Sequence, residues 1–380
     1  KYISYDDAQN QKYFEHNYLG TDSIDKTKRT SIKNTIGIAL QEGFNKWAKA
    51  GLTAFLSYEY RNFALTDTTN IPGQRIINNY KESSLSIGGE LSKKQGKLLH
   101  YNILGELAIA GEDAGQFSVE GRGDLNLRLF GDTVRLDVNA FIKNQNPVFY
   151  FRHFQSKHYW WDNNDLSKIM RTRLEGKLSL NRWGTQLRAG VENIKNYTYL
   201  ANASIPVKDS EGNVTGFKNN AAVRQHSGNI QIFTAMLQQK LKVGIFHLDG
   251  EVAYQKSSEQ DILPLPELSA YGNLYMKFGL AKKVLQIEMG ADVRYFSKYY
   301  APDYSPVIGQ FYNQNPDDKI EIGAFPIVNV YANLHLKRTR FFIMMYHVNA
   351  GSGKSNYFLA PHYPINPRMI KFGLSWNFFD

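Results

Sequence analysis

Residues 369–380 read MIKFGLSWNFFD. From Ile370 the apolar side chains fall on every second position (Ile370, Phe372, Leu374, Trp376, Phe378), with Lys371, Gly373, Ser375 and Asn377 between them. A two-residue period places one set on each face of a strand. As the edge of a soluble sheet, this ending would be an exposed aromatic strand prone to aggregation. As a membrane strand it has one face for lipid and one for water.

The same unit recurs upstream. Alternation predicts strands over 32–41, 48–61, 84–92, 99–110, 117–129, 134–142, 171–180, 186–193, 229–241, 246–255, 268–280, 285–297, 328–336 and 342–349. Residues 117–129 alternate without a break, with Phe117, Val119, Leu125, Leu127 and Leu129 against Ser118, Glu120, Arg122, Asp124, Asn126 and Arg128. Short turns near 43–47, 93–97, 131–132, 181–184, 242–245, 281–283 and 337–340 alternate with mostly longer loops at 62–82, 111–116, 143–168, 194–228, 256–266, 298–325 and 350–367. In an outer-membrane barrel, short connections face the periplasm and long ones the exterior. The last strand descends from a long loop, so that parity puts the C-terminus in the periplasm.

The expected fold is therefore all-β: a transmembrane antiparallel up-and-down β-barrel of about 16 strands. Fifteen strands can be counted, so an even number requires one more before residue 20, or several outside this chain. Residues 1–30 read as a truncated first strand and surface loop, and 31–380 as the barrel. A β-helix or sandwich is the competing fold, but its strands are shorter and its turns less regular.

Composition agrees once periodicity is considered. No stretch approaches the ~18 consecutive apolar residues of a membrane helix, and mean hydropathy is −0.44; barrel strands give only a weak hydropathy signal. The 24 Tyr and 23 Phe suit aromatic girdles at two membrane interfaces. There is no cysteine, which excludes disulfides and thiolate metal sites. The net charge of +10 fits a lysine-rich surface, attraction to anionic lipid and lipopolysaccharide headgroups, or an anion-favouring lumen. Its cations are scattered rather than gathered, so nucleic acid is not an expected partner. Lys1 opens without an apolar signal core, which for an exported protein reads as a mature or truncated chain.

The ending Lys371–Phe378, the tyrosine-rich strand ends and the run YYAPDYSPVIGQFYNQ (299–314) resemble the putative porins of the Bacteroidota. The ending is also similar to the C-terminal targeting strand of bacterial outer-membrane barrels, with Lys371, Gly373, Trp376 and Phe378 at the matching positions. The resemblance implies a Gram-negative outer-membrane location, recognition by the barrel-assembly machinery through that strand, and a pore-like role. It supplies no substrate.

The inward face is expected to be charged, and so wet, because dry burial of so many ions would cost several kcal/mol each. Lumen-lining candidates are Arg61, Glu120, Arg122, Asp124, Arg128, Arg135, Asp137, Arg173, Glu175, Lys177, Arg188, Glu192, Glu288, Asp292 and Arg294. The arginines between 122 and 188 could form an anion-selecting ladder, or simply pair with the acids among them. In the loop 147–162 (PVFYFRHFQSKHYWWD), the residues Phe149, Phe151, His153, Tyr159, Trp160 and Trp161 are candidates for a constriction or a docking face, or for packing against neighbouring loops. Residues 205–207 and 214–217 read as a small outer hairpin fit for a partner, and loop 298–325 as stiff and well packed.

Several motifs are refused. Gly351–Ser355 lacks the leading glycine of a phosphate loop, since position 348 is Val348. His153 and His158 lack an acidic companion for a metal, so no metal and no cofactor is expected. The Asn-x-Ser/Thr sites at Asn196, Asn202 and Asn213 have no meaning in a bacterium without that glycosylation route. A rim enzyme would need His347 with a Ser or Asp partner, and the sequence offers none. The reading is a non-enzymatic pore passing small polar solutes by passive diffusion. The alternative is a non-conducting structural or docking subunit of an outer-membrane complex in secretion, barrel assembly or nutrient uptake.

Overall fold

Fifteen alternating stretches become strands, and all lie in one antiparallel sheet. They are β1 Lys28–Leu40, β2 Gly51–Asp67, β3 Ile76–Lys93, β4 Leu99–Gly111, β5 Phe117–Leu129, β6 Asp132–Gln145, β7 Ile169–Leu180 and β8 Thr185–Asn202, followed by β9 Ala221–Val243, β10 Phe246–Ser257, β11 Leu268–Leu280, β12 Leu285–Phe296, β13 Ile327–Leu336, β14 Thr339–Tyr346 and β15 Met369–Trp376. Each pairs with its neighbours in sequence, so the sheet is a meander. This computed structural model describes residues 2–4, 13–19, 24–43, 50–67, 76–129, 131–353 and 356–378. Residues 44–47 of the first turn, 48–49 of the strand expected over 48–61, much of the expected N-terminal segment (1, 5–12 and 20–23), residues 354–355 of the refused phosphate-loop motif and residues 379–380 of the ending lie outside the described residues.

One face of the sheet is apolar and open. Ile36, Ile38 and Phe372 are 76%, 77% and 81% exposed, and Leu56, Ile87, Leu174, Val191, Leu274 and Ile343 continue the band around the sheet. A soluble monomer does not leave a patch of that extent in water. The accessible surface is 23404 Å², whereas a soluble globular chain of this size exposes about 15,000 Å². The excess is what a hollow sheet with two accessible faces produces.

The strands outrun the sequence reading at their long-loop ends. β9 has 23 residues, about 75 Å of chain, against an apolar band about 25 Å tall. Alternation predicted β8 only to 193, but it runs to Asn202 through a register shift between Lys195 and Tyr197, where Asn196 has φ +58°. The bulge flips the side-chain phase, so period counting stops there although pairing continues. Near the other end, the strand expected over 342–349 is Thr339–Tyr346, and His347 leaves it with φ +54°.

The expected closure into an even-numbered barrel is not reached: among the described residues no pairing joins β1 to β15. Fifteen is odd, so both edge strands run from the long-loop side to the short-turn side and cannot meet as antiparallel neighbours. Tyr2–Ser4 pairs with Ile24–Lys26 as a separate small ribbon. The loop 147–162, read without helical periodicity, contains one helical turn, α1 Phe149–Arg152, and a ribbon of His153–Gln155 with Trp160–Asp162. The hairpin expected near 205–217 is present as Ile205–Lys208 with Val214–Lys218.

Inside the sheet, aromatic rings lie over glycines and so let the wall curve tightly. A Cβ on Gly88 would meet the Phe55 ring at 2.1 Å and the Gly105 carbonyl at 2.7 Å, while one on Gly105 would meet nothing within 4 Å. Gly88→Ala is therefore expected to destabilise the folded protein by about 1–3 kcal/mol. Gly105→Ala should stay within about 0.5 kcal/mol. Urea unfolding in detergent micelles measures both, and equal midpoints would contradict the packing described.

Candidate functional site

The face opposite the apolar band carries the ionisable side chains, and the register sets them opposite one another. At the short-turn end a ladder crosses four strands. The His100 imidazole Nδ1 lies 2.9 Å from Asp124, Arg135 lies 3.6 Å from Asp124 and 2.8 Å from Asp137, and Lys177 lies 3.1 Å from Asp137. At mid-wall, Glu120 meets Lys143 at 2.6 Å and Arg122 at 4.0 Å. Arg173 bonds Glu175 at 2.5 Å and approaches Glu192 at 3.9 Å, Arg188 stands 3.9 Å from Glu175, and Arg171 bonds Glu192. On the far strands Glu288 faces Lys277 at 3.6 Å, Asp292 accepts a 2.9 Å hydrogen bond from Asn329, and the Arg294 guanidinium lies 5.8 Å from the Tyr271 ring centre. Arg128 is exposed and makes no ion pair among the described residues.

The basic ladder is thus interleaved with carboxylates from adjacent strands, which cancels most of its field. Period counting placed these residues on one face but could not give the register that pairs them. The lumen candidates left out Lys143 and Arg171, although they included the acid partners of both, Glu120 and Glu192. Most of these pairs are partly solvated, worth about 0–1 kcal/mol each.

The drier charges sit where β2 and β3 approach the long-loop rim. Arg61 and Glu82 are direct cross-strand partners, 3.3 Å apart, and Arg61 also bonds Asp113 at 2.6 Å. Arg152 at the end of α1 bonds Glu82 at 2.6 Å and Glu112 at 2.7 Å. Side-chain exposure is 16% for Arg61, 7% for Glu82 and 13% for Arg152, so this cluster is shielded. Glu82, Glu112 and Asp113 were missed by sequence reading. Glu82 could have been found as the residue facing Arg61 once the turn length was known.

That cluster docks the aromatic loop onto the wall. Phe149 is buried and stacks on Phe63 at 3.7 Å, with Tyr80 edge-on at 5.5 Å. Phe63 and Tyr80 lie opposite each other on β2 and β3, on the Arg61 face. His153 bonds Asp162 and stacks on Tyr80 at 5.0 Å. Beyond α1 the loop reaches other strands: Phe154 and Tyr159 pack with Leu200 of β8, Ala221 of β9 and Val307, Ile308 and Tyr312 of loop 298–325, with Phe151 and Trp161 against them. Trp160 meets Tyr18 at 5.5 Å. A segment that touches β2–β3 and β8–β9, six strands away, spans the long-loop end of the sheet. Phe149, Phe151, His153, Tyr159, Trp160 and Trp161 are therefore brought together, as part of a bridge rather than a girdle.

Loop 298–325 is folded as expected, with a ribbon of Asp303–Ser305 and Gln310–Tyr312 and buried Ala301, Ile322 and Phe325. His347, the rim candidate, is fully buried between Phe325 and Tyr357, its Nδ1 bonded to the Asn366 carbonyl at 3.0 Å. It cannot reach a substrate at the surface. Among the described residues, no group of three His, Asp or Glu is placed to hold a metal ion.

The polar positions of β15 have distinct contacts. The Lys371 ammonium lies 4.8 Å from the Tyr346 ring centre, and the Phe342 ring occupies the space a Cβ on Gly373 would need. Trp376 and Phe378 stack at 5.1 Å, both more than half exposed on the lipid side.

A family model described as "Putative porin" matches residues 1–380, the whole chain. Among solved structures, the siderophore receptor PirA from Acinetobacter baumannii is similar at TM-score 0.63 and 9% identity, over 95% of this chain and 56% of that one. The ferric enterobactin receptor PfeA of Pseudomonas aeruginosa gives 0.59 and 12%, over 92% and 54%. The FrpB iron transporter from Neisseria meningitidis gives 0.56 and 12%, over 93% and 56%. These likenesses are of fold, and the chain spans about half the length of the receptors it matches. No curated protein matches.

Glu82→Gln should loosen the bridge, because Arg61 and Arg152 lose the carboxylate between them. The cost expected is roughly 1–3 kcal/mol, below the 3–5 kcal/mol of a fully broken buried pair, since Asp113 and Glu112 remain. Limited trypsin digestion reads it out: cleavage after Arg152 or Lys157 should appear in the variant while the wild-type protein resists. Equal resistance would refute the docking role of Glu82.

Proposed function

The chain belongs to the putative porin family, and from that premise we propose that it passes small polar solutes across a bacterial outer membrane by passive diffusion. Family and fold together support an outer-membrane barrel transporter rather than an enzyme. The observation that carries the passive reading is the inner wall, where charges of both signs, mostly half-exposed, alternate across strands from β4 to β8. Such a wall is stable only in contact with water, and a sheet of this width leaves room for a water column once closed. Closure requires an odd number of further antiparallel strands between β15 and β1, and sixteen strands is the smallest such barrel.

In this reading Arg61, Glu120, Arg122, Asp124, Arg128, Arg135, Asp137, Arg173, Glu175, Lys177, Arg188, Glu192, Glu288, Asp292 and Arg294 line the lumen, and the aromatic bridge narrows its outer entrance. Paired charges leave little net field, so the pore discriminates by width more than by charge sign. β15 carries the targeting signal in Lys371, Gly373, Trp376 and Phe378, read by the barrel-assembly machinery, and ends on the periplasmic side. Lipopolysaccharide and lipid surround the apolar band. The iron and siderophore cargo of the similar receptors is not carried over, because the likeness at 9–12% identity is one of fold.

The bridge itself favours a second reading. A loop packed across the mouth on two aromatic clusters is also what a non-conducting subunit of an outer-membrane complex would have, with the 205–218 hairpin, apolar at Ile205, Val214 and Phe217, as its docking arm.

Single-channel recording in planar bilayers separates the two. The pore reading expects stepwise currents that scale with salt, with a reversal potential near zero under a KCl gradient. Neutralising Asp137 and Glu175 together (D137N, E175Q) should move it towards anion selectivity. Silence from folded protein would reject diffusion and leave the subunit.

A further inference from the structure

At the outer mouth, six stretches of the chain line a half-open cavity of about 340 Å³, within the size range of small-molecule sites. Its floor is Tyr159 of the bridge; its walls come from residues 303–318, the hairpin near 358–364, the 205–218 hairpin, the ends of β8 and residue Phe14. None of these groups takes part in the lumen wall.

Three features decide its chemistry. First, its rings are set at right angles: Tyr304 stands 86° to Tyr363 with ring centres 5.6 Å apart. The rings touch edge to face, so their π faces form a corner, and a cation seated in that corner meets both. Second, a carboxylate stands beside them with little to neutralise it. Asp303 is 9% exposed; one oxygen accepts the Tyr304 backbone N–H at 2.7 Å, and the other lies 3.8 Å from the ring of His362, which is 65% exposed. Asp318 adds a second acid, and among the described residues no lysine or arginine lines the cavity. In a chain of net charge +10, this is a locally negative hollow, wrong in sign for phosphates and carboxylates. Burial raises the Asp303 carboxyl above its ordinary range, as expected of an acid that lacks a fixed counter-cation. It also pushes the Tyr159 phenol up to about 12, so that ring stays neutral.

Third, three of the four amides that line it are engaged within the protein. Asn202 accepts from the Ser204 N–H and donates to the Tyr312 hydroxyl, Asn219 donates to the Tyr13 carbonyl, and Gln314 binds Ala301 and Ile320. Asn315 and the Tyr304 and Tyr363 hydroxyls also line the cavity, and among the described residues Asp303 and Asp318 are its only acidic side chains.

We propose that this cavity binds a small organic cation, an alkylammonium group, in the corner formed by the faces of Tyr304 and Tyr363, with Asp303 as its counter-ion. The inference rests on the outward placement of the long loops, but not on conduction, so a silent channel would leave it standing.

Isothermal titration calorimetry of the folded, detergent-solubilised protein tests it, with choline as probe and glucose and sodium acetate as comparisons. The expectation is saturable one-to-one choline binding, weakened at least tenfold by Asp303→Asn, which keeps an oxygen for the Tyr304 N–H. Tyr363→Leu, at a half-exposed ring, should weaken it severalfold and serves if the first variant does not fold. Glucose and acetate should not bind at this site. No saturable choline heat from folded wild-type protein would overturn the proposal. So would choline affinity unchanged in whichever folded variant is measured, or glucose binding that competes with choline.

Discussion

Inside a bilayer no water is available to bond a peptide group, so each N–H and C=O must find its partner within the protein. The structure follows from that constraint. A strand can meet it only by having a neighbour on each side, which is why the chain forms one continuous meander rather than several small sheets. The side chains then have no choice but to alternate between lipid and lumen. The apolar band and the charged wall are two results of the same pairing. The constraint also makes the parity of the sheet matter: with an odd number of strands, both edges point the same way, and only an additional strand of opposite direction can bond the two.

The charged face shows how one side of a sheet accommodates many ions. Charges of opposite sign face one another on adjacent strands, as in the run from His100 through Asp124, Arg135 and Asp137 to Lys177. Each pair is weak because it is wet, but together they hold the wall near neutrality while leaving it hydrophilic. A protein with net charge +10 can therefore present a charged face on which most charges are paired with the opposite sign.

Towards the outer rim the balance changes. Strands that rise beyond the apolar band bring Phe63 and Tyr80 inward, and the aromatic loop covers them. Stacking of Phe149 on Phe63 excludes water from the neighbouring Arg61, Glu82 and Arg152, which strengthens their mutual attraction. Hydrophobic contact and ion pairing thus support each other at the foot of the bridge. Its far end is held mainly by packing against β8, β9 and loop 298–325, and the end of β8 and that loop also line the cavity beside Tyr159.

Period-two patterning alone determined that the chain is all-β, which residues face lipid, where thirteen of the strands begin or end to within a few residues, and that Arg135, Asp137 and Lys177 share a face. Those are local properties, set by the alternation of neighbouring side chains. The pattern failed at Asn196, where a bulge breaks the phase, and in α1, too short for any period to register. Pairing of charges depended on register, which links residues such as Arg61 and Glu82 across a loop. The bridge depended on more still: nothing local to Phe149 or Tyr159 says whether they meet a neighbouring loop or the opposite side of the mouth. Only the closed-in shape of the sheet brings β2 and β8 within reach of one 16-residue segment, because curvature, not sequence distance, decides which surfaces are there to be covered.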